Sequence, residues 1–545
     1  MQILLLIIFL ASCLSCTTSK KESPKQQLEP PPQQIFRMNT HSEPQSLDPR
    51  LVRDIPTVTT AKMFFDGLSR TNLQGECKPS IAHKITVSPD KKCYTFYLRD
   101  CIWSNGDPVT SYDFEYAWKQ VLSPDFPAEY AHQLFVIKNG EAAKKRLVSL
   151  DQVGIHTEGP KKLVVFLEHP DPYFLELTAF PISFPVPSEI VKKRVDWASE
   201  QGEKFICNGP FCLSKWDHGS ELNAEKNKHY WDVSSVKLDS ITLTMIEDEH
   251  TELNMYENNE LDWAGSPNSS IPPEALPSLK ENKKSEQELF VTPIAGTFCY
   301  KFNTKIAPFH SLKMRKAFSL AIDRKSLIDN ILQANQLVAK SLLPPCIKGN
   351  FDAHETPIFQ DREQAVVLFN EALIENGWTR ETLPPITLIF SKSEKHQKIA
   401  QAVQQEWNNT FDIKVNLQSY EWNTFLSHLS KGAFQVGGRG WVSDLSDPKT
   451  ILEIYKFAGD SDCGGNNDTG WENPKFIQLI DLATHCTDEV QRSHYLHEAE
   501  KILMEEMPIA PLYHSTACYL KKNYVKDVYM SKLCDLDFKN ASIQR

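Results

Sequence analysis

Val436-Gly437-Gly438-Arg439-Gly440-Trp441-Val442-Ser443-Asp444-Leu445-Ser446-Asp447-Pro448 closes a long alternation of helix and strand and differs from every segment leading to it. Apolar periodicity predicts helices over 311–321, 325–333 and 361–376, the last closed by Gly377. A strand over 386–390, a helix over 395–407, a strand over 413–420 and a helix over 422–430 follow. Such alternation argues for an α/β lobe. The quoted stretch begins as the next strand, yet three of its first five residues are glycine. Glycine weakens a strand and marks a close approach of other atoms. One reading is tight packing against a neighbouring strand or helix; the other is that the approaching backbone belongs to a ligand. Trp441 and Asp444 place an apolar platform and a carboxylate beside exposed backbone groups, which suits an extended peptide with a cationic N-terminus.

A chain of 545 residues, 41% apolar and 24% charged, exceeds one hydrophobic core and is expected to divide into two or three lobes. Its net charge of −11, from 59 basic and 70 acidic residues without a basic block, excludes nucleic acid as a partner. There is no Gly-x-Ser-x-Gly elbow, His-Glu-x-x-His helix or Gly-Lys-Ser phosphate loop. Asp444 and Asp447 would be the one acid/base pair to consider, but nothing completes a hydrolytic site around them. The 16 histidines are scattered; His494 and His497 share a helical face but read as solvated or capped residues. The protein is therefore read as no enzyme, without cofactor or metal.

The run from Gln2 to Cys13 is apolar, too short for an ordinary transmembrane helix, and ends in small residues, as a signal peptide does. Leu10-Ala11-Ser12-Cys13 resembles a bacterial lipobox with Cys13 as the acylated residue, and Cys16 is a second candidate. No Lys or Arg precedes the run. Residues 14–35, rich in Pro, Gln and Lys, read as a flexible tether. The 13 cysteines are dispersed without a scaffold pattern. Cys207 and Cys212 flank an Asn208-Gly209-Pro210 turn that brings them within reach, whereas a strand separates Cys93 from Cys101. Buried free thiol is the reading for most of the others.

From Phe36 the fold is expected to open with a strand, then Ser46-Leu47-Asp48-Pro49 and a helix through Thr59, Met63 and Phe64 that ends at Gly67. Segments 85–87 and 93–98 flank Ser88-Pro89-Asp90 as a hairpin. Thr110, with Asp113 three residues on, reads as the N-cap of a helix whose Phe114, Ala117, Trp118, Val121 and Leu122 share a face. Strands over 163–167 and 240–246 and a helix over 249–258 follow. Three prolines over 181–187 suit a crossing between lobes, and 266–287 is polar with four prolines. A strand over 297–302, a helix over 490–506 and an apolar return over 509–519 complete the chain. Trp103, Trp118, Trp216 and Trp231 read as core.

Thr95-Phe96-Tyr97-Leu98-Arg99, Trp103-Ser104-Asn105-Gly106-Asp107-Pro108-Val109-Thr110, Asp113-Phe114 and Trp118 together resemble a signature of the peptide-type (family 5) extracytoplasmic solute-binding proteins. These are receptors of ATP-binding-cassette importers for oligopeptides, dipeptides, nickel and haem. Asn208-Gly209-Pro210-Phe211 with Trp216, Tyr230-Trp231, Phe309 with Arg315, Ala321-Ile322-Asp323-Arg324, Glu421-Trp422 with Phe425, and Gly440-Trp441 with Asp444 extend the likeness in order to the C-terminus. The oligopeptide-binding lipoproteins are the branch most resembled.

The resemblance implies a two-lobed, type II (cluster C-like) periplasmic-binding-protein fold of the α/β class, with an additional subdomain and hinge closure around the ligand. It divides the chain into a signal peptide (1–13), a tether (14–35), lobe I (36–65), the subdomain (66–190), lobe I again (191–295), lobe II (296–512) and a return to lobe I (513–545). The ligand would lie as an extra strand held by main-chain hydrogen bonds. Ile55 and its neighbours fall on one side of it and Gly440 to Val442 on the other, with Asp444 on the peptide ammonium. Trp422 and Trp441 match pocket walls, and His396 matches a residue near the far end of longer peptides. Short peptides, a permease in the cytoplasmic membrane and a lipid anchor are the implied partners of a monomer in the periplasm or cell envelope. The alternatives are another cargo on the same fold (a cell-wall peptide, a dipeptide, haem or nickel) and an exported hydrolase.

The chain departs from its relatives where the peptide's carboxylate is received. An Arg position three residues before the matched Trp is Gly438, with Arg439 aimed by strand alternation at the other face. A second basic position is Leu429, and the sites of a bridging Cys pair are Gly296 and Val442. The carboxylate anchor stays unassigned.

Overall fold

Two long antiparallel strands, Leu289–Phe302 and Ile509–Lys521, lie next to each other at the middle of an 11-stranded sheet. The computed structural model describes residues 33–52, 54–194, 196–199, 201–347, 360–456 and 467–545. Cys13, Cys16 and most of the expected tether lie outside the described residues. On one side of the central pair come Val436–Val442, Ile386–Ser391 and Val415–Tyr420. On the other come Trp263–Gly265, Ile35–Asn39, Ser240–Thr244, Glu221–Lys226 and Phe211–Asp217, and the eleventh strand, Leu337–Val338, pairs with Ile509–Lys521 off this path. Each end of the sheet serves its own core. Phe36, Phe64, Leu222 and Ile241 are buried together in lobe I, and Phe302, Phe318, Phe369, Trp407 and Val436 in lobe II. The central strands pass from one to the other, so the lobes share a continuous hydrogen-bonded bridge.

Sequence periodicity places the start of the first central strand at residue 297, but it begins at Leu289. Pro293, which cannot donate to a ladder, conceals the earlier half. In the structure it stands where the register to Ile509–Lys521 shifts, between Pro293 and Thr297, so the missing N–H falls at an irregularity rather than in a regular ladder.

A separate four-stranded sheet combines the antiparallel hairpin Ala82–Val87 and Cys93–Leu98 with Lys162–Phe166 and Ile155–Thr157. Helix Ser111–Val121 begins with a reciprocal capping box between Thr110 and Asp113 and buries Phe114, Ala117, Trp118 and Val121, the face its sequence predicts. In lobe II, Arg362–Asn376 ends at Gly377 with φ +67°, a left-handed conformation that glycine adopts without strain. The helix expected over 395–407 runs from Glu394 to Phe411, because Trp407 and Phe411 pack on Phe318 and extend its buried stripe. The helix expected over 325–333 is a short α-turn, Arg324–Leu327, followed by a π-helical turn, Ile328–Leu332. No helix of the described residues is long and apolar enough to cross a membrane.

Candidate functional site

Strand Val436–Val442 is fully paired along one side, from Phe302 opposite Val436 to Gly296 opposite Val442. On its other side the parallel ladder to Ile386–Ser391 stops after two pairs, Leu388 with Val436 and Ile389 with Gly437. Beyond Gly437 that edge has no strand partner among the described residues. A strand edge without a neighbouring strand is a template for one more strand.

The glycines divide between the two readings. A Cβ at Gly437 would lie 2.6 Å from Leu429 Cδ2, and one at Gly438 would lie 2.7 Å from Tyr300 Cε1. Both are therefore packing glycines. Gly440 is exposed, with Phe298 Cδ2 at 3.4 Å as the nearest atom to a Cβ there. The same contacts explain the departures noted in the sequence. A long side chain at 438 would displace the buried Tyr300 ring, and Leu429 is fully buried. Gly296 and Val442, the sites of the absent cysteine pair, are directly opposed across the strands.

The loop after the strand is held from several directions. Ser443 N–H donates to Ala295 O at 2.8 Å, and its hydroxyl donates to Leu445 O at 2.6 Å. Val442 and Leu445 pack against the lobe I core while Trp441 packs against a lobe II cluster that includes Leu452 and Phe476. Asp447 caps helix Pro448–Leu452 and pairs with Arg492 at 2.6 Å. It therefore takes no part with Asp444.

Asp444 is half-buried. Its Oδ2 accepts a hydrogen bond from Gln133 Nε2 at 3.2 Å, and the Tyr130 hydroxyl also bonds to it. Both donors are neutral, and Asp444 forms no ion pair among the described residues. Burial pushes its carboxyl up to about 7, with the Tyr130 bond pulling the other way. Tyr130, packed on Phe180, and Gln133 come from the turn around Ala131–Val136. Sequence reading missed both; they lie 311 residues or more before Asp444 and belong to no motif. A desolvated carboxylate with neutral donors only is an electrostatic vacancy for a cation.

The other expected residues fall at graded distances from this centre. Arg439 lies 5.6 Å from the centre of the Trp441 ring and pairs with Asp468 at 3.6 Å, a carboxylate that Lys301 also holds at 2.6 Å. Its charge is already engaged. His396 stacks on Phe298 with ring centres 5.4 Å apart, and its Nδ1 meets Ser391 Oγ at 2.7 Å. Burial and the neighbouring Lys395 depress its pKa to about 4, so the ring is neutral at physiological pH. Phe298, directly opposite Gly440, thus links His396 to the open edge. Ile55 is the half-buried first residue of helix Ile55–Phe64, behind a capping box between Asp54 and Thr57. Asp54 and Asp444 both act on Tyr130, which places the helix start on this side of the site. Trp422 opens helix Trp422–Ser430, touches Phe425 and remains 52% exposed. Among the described residues no group of His, Cys, Asp and Glu is arranged to hold a metal ion.

Residues 76–462 match the family model described as bacterial extracellular solute-binding proteins, family 5 Middle. The chain is 40% identical to the oligopeptide-binding protein OppA of Bacillus subtilis, over 93% of this chain and 92% of that protein. The crystal structure of Haemophilus influenzae OppA in complex with the peptide RPPGFSPFR is 28% identical, covers 94% of this chain and 99% of its own, and gives a TM-score of 0.82. The murein tripeptide-binding protein MppA in its unliganded open form, also 28% identical, covers 94% and 98% but gives 0.71. The chain belongs to the bacterial extracellular solute-binding proteins of family 5.

Proposed function

We propose that this protein is the substrate-binding receptor of an ATP-binding-cassette oligopeptide importer. In this reading the peptide adds a strand to the free edge beyond Gly437 and places its ammonium on Asp444. The observation that carries it is a desolvated carboxylate with only neutral donors, at the end of a strand whose ladder stops early. Main-chain pairing serves any sequence, so the receptor takes peptides of varied composition. Trp441, Gly440, Val442 and Ile55 border the bound backbone, with His396 and Trp422 toward the far end. Lipid on Cys13, or on Cys16, anchors a monomer through the 14–35 tether beside its permease. Several buried acyl chains, at about 0.8 kcal/mol per CH₂, hold such an anchor firmly. In this reading lobe I, the subdomain and lobe II keep the boundaries proposed from the sequence.

Asp444 also favours a second amine-bearing cargo, a cell-wall peptide, since MppA, a murein tripeptide-binding protein, is a structural neighbour. Mass spectrometry of ligands released from protein purified from its host separates the readings. A heterogeneous set of peptides is expected; one repeated muropeptide moves the assignment to the second cargo, and cleavage of added peptides overturns both. Incorporation of labelled palmitate should disappear in Cys13→Ala, and its persistence would move the anchor to Cys16.

A further inference from the structure

Away from the peptide site, Cys207-Asn208-Gly209-Pro210-Phe211-Cys212 brings two thiols face to face. Their Sγ atoms are 3.4 Å apart, and both cysteines are free thiols in this structure. No other pair of thiols is in contact among the described residues. The two differ in access: Cys207 is fully buried, while Cys212, second in strand Phe211–Asp217, is partly exposed. A covalent S–S bond is about 2.05 Å long, so the sulfurs need approach by little more than an ångström, within reach of a side-chain rotation of the exposed partner.

The turn between them is already pinned. Gly209 N–H donates to Phe64 O at 2.8 Å, and Asn208 accepts from Asp66 N–H and donates to Asp66 O, each at 3.1 Å. Asn227 donates to Pro210 O at 2.9 Å and to Gly209 O at 2.8 Å. A Cβ at Gly209 would sit 2.4 Å from the Phe64 carbonyl carbon. The turn therefore clamps the C-terminal end of the helix that begins at Ile55.

We propose that Cys207 and Cys212 are a dithiol modification site that closes to an intramolecular disulfide on meeting a small-molecule or protein disulfide. Extracellular surroundings, where this family works, supply such oxidants. Cys212 Sγ, the more accessible sulfur, attacks one sulfur of R–S–S–R on loss of its proton and expels RS⁻; Cys207 Sγ, losing its proton in turn, then attacks Cys212 Sγ and expels the second RS⁻. Two protein thiols are oxidised, one external disulfide is reduced to two R–SH, and the two thiol protons end on the leaving sulfurs. The closed ring staples the clamp on the helix. Cys207's high thiol pKa, raised by Cys212 and by burial, fits it to the second step, after Cys212 has lost its own proton and charge.

The full-length protein, incubated with glutathione disulfide, unfolded in alkylating agent and digested without reductant, tests this. The peptide holding Cys207 and Cys212 should emerge unalkylated and lighter by two hydrogens, while the other buried cysteines carry the alkyl label. Cys207→Ser should stop at a stable glutathione adduct on Cys212, and Cys212→Ser should leave Cys207 unmodified in the folded protein. Alkylation of both residues in the oxidised wild-type chain, or a persistent glutathione adduct on Cys212 with Cys207 free, would overturn the assignment.

Discussion

Asp444 and Asp447 lie three residues apart in one loop and are treated in opposite ways. Asp447 is buried, caps a helix and meets the Arg492 guanidinium at 2.6 Å. Asp444 is left with an amide and a hydroxyl, and its carboxyl rises to about 7. Asp447 is neutralised by Arg492, whereas Asp444 is desolvated and has only neutral donors beside it among the described residues. The proposed role of Asp444 as the partner of the peptide's ammonium rests on that difference.

Breaking the two sites should therefore fail in different assays. Removing one partner of a buried pair costs roughly 3 to 5 kcal/mol. Asp447→Ala should lose that much stability in urea denaturation by stranding Arg492, while the folded fraction still binds peptide. Asp444→Ala should keep its fold and lose two to three decades of affinity, with an N-acetylated peptide losing a comparable amount on the wild type. Calorimetry showing unchanged affinity for Asp444→Ala would remove it from the site and erase the contrast.

The glycines give a second, smaller contrast. Gly438→Ala must push Tyr300, and overpacking of this kind costs about 1–3 kcal/mol. Gly440→Ala meets only an ordinary contact with Phe298 and should stay within about 0.5 kcal/mol of wild type. Equal melting midpoints for the two variants would show that Gly438 is not a packing glycine.

Asp444 also sets a pH dependence. Its folded pKa of about 7 exceeds the usual value of about 3.9, so its contribution favours the ligand-free fold at low pH and is lost as pH rises through 7. Asp444→Asn should thus raise the melting midpoint of the ligand-free protein at pH 8 and not at pH 4. Peptide binding has the opposite slope, because it needs the ionised carboxylate and a protonated amine with a pKa of about 7.8. Between pH 7.5 and 5.5 affinity should fall about fifteenfold. A flat profile over that range would mean that Asp444 is already ionised in the empty site.

The α/β alternation of lobe II and the Thr110 cap were legible because each rests on periodicity or a local pair within one helix. Asp444 and Trp441 stood out from their neighbours on residue type beside glycine. Tyr130 and Gln133 did not, because their role exists only when the turn around 131–136 is folded against a loop from the far end of the chain. Nor could the glycines be sorted from sequence, since what a Cβ would meet depends on where Leu429 and Tyr300 lie. Pro293 hid half of a central strand by a local rule that a register shift accommodates.

The smallest effect is expected at the other end of the peptide. Three routes to a fixed cation are closed: Gly438 has no room beside Tyr300, Leu429 is buried core, and Arg439 is engaged with Asp468. His396, the residue nearest in role, has its pKa depressed to about 4 and stays neutral even at pH 5.5. A carboxylate that meets no buried cation is solvated or bridged by water and contributes little net energy. Amidating a peptide's C-terminus should therefore change affinity by less than about tenfold, or ~1.4 kcal/mol, and by the same factor at pH 7.5 and pH 5.5. One peptide titrated as free acid and as amide at both values decides the matter. A loss of several decades on amidation at pH 7.5 would put a basic residue at that end after all. A preference for the free acid that emerges only at pH 5.5 would show that His396 gains its proton well above the range that its burial and its neighbour Lys395 allow.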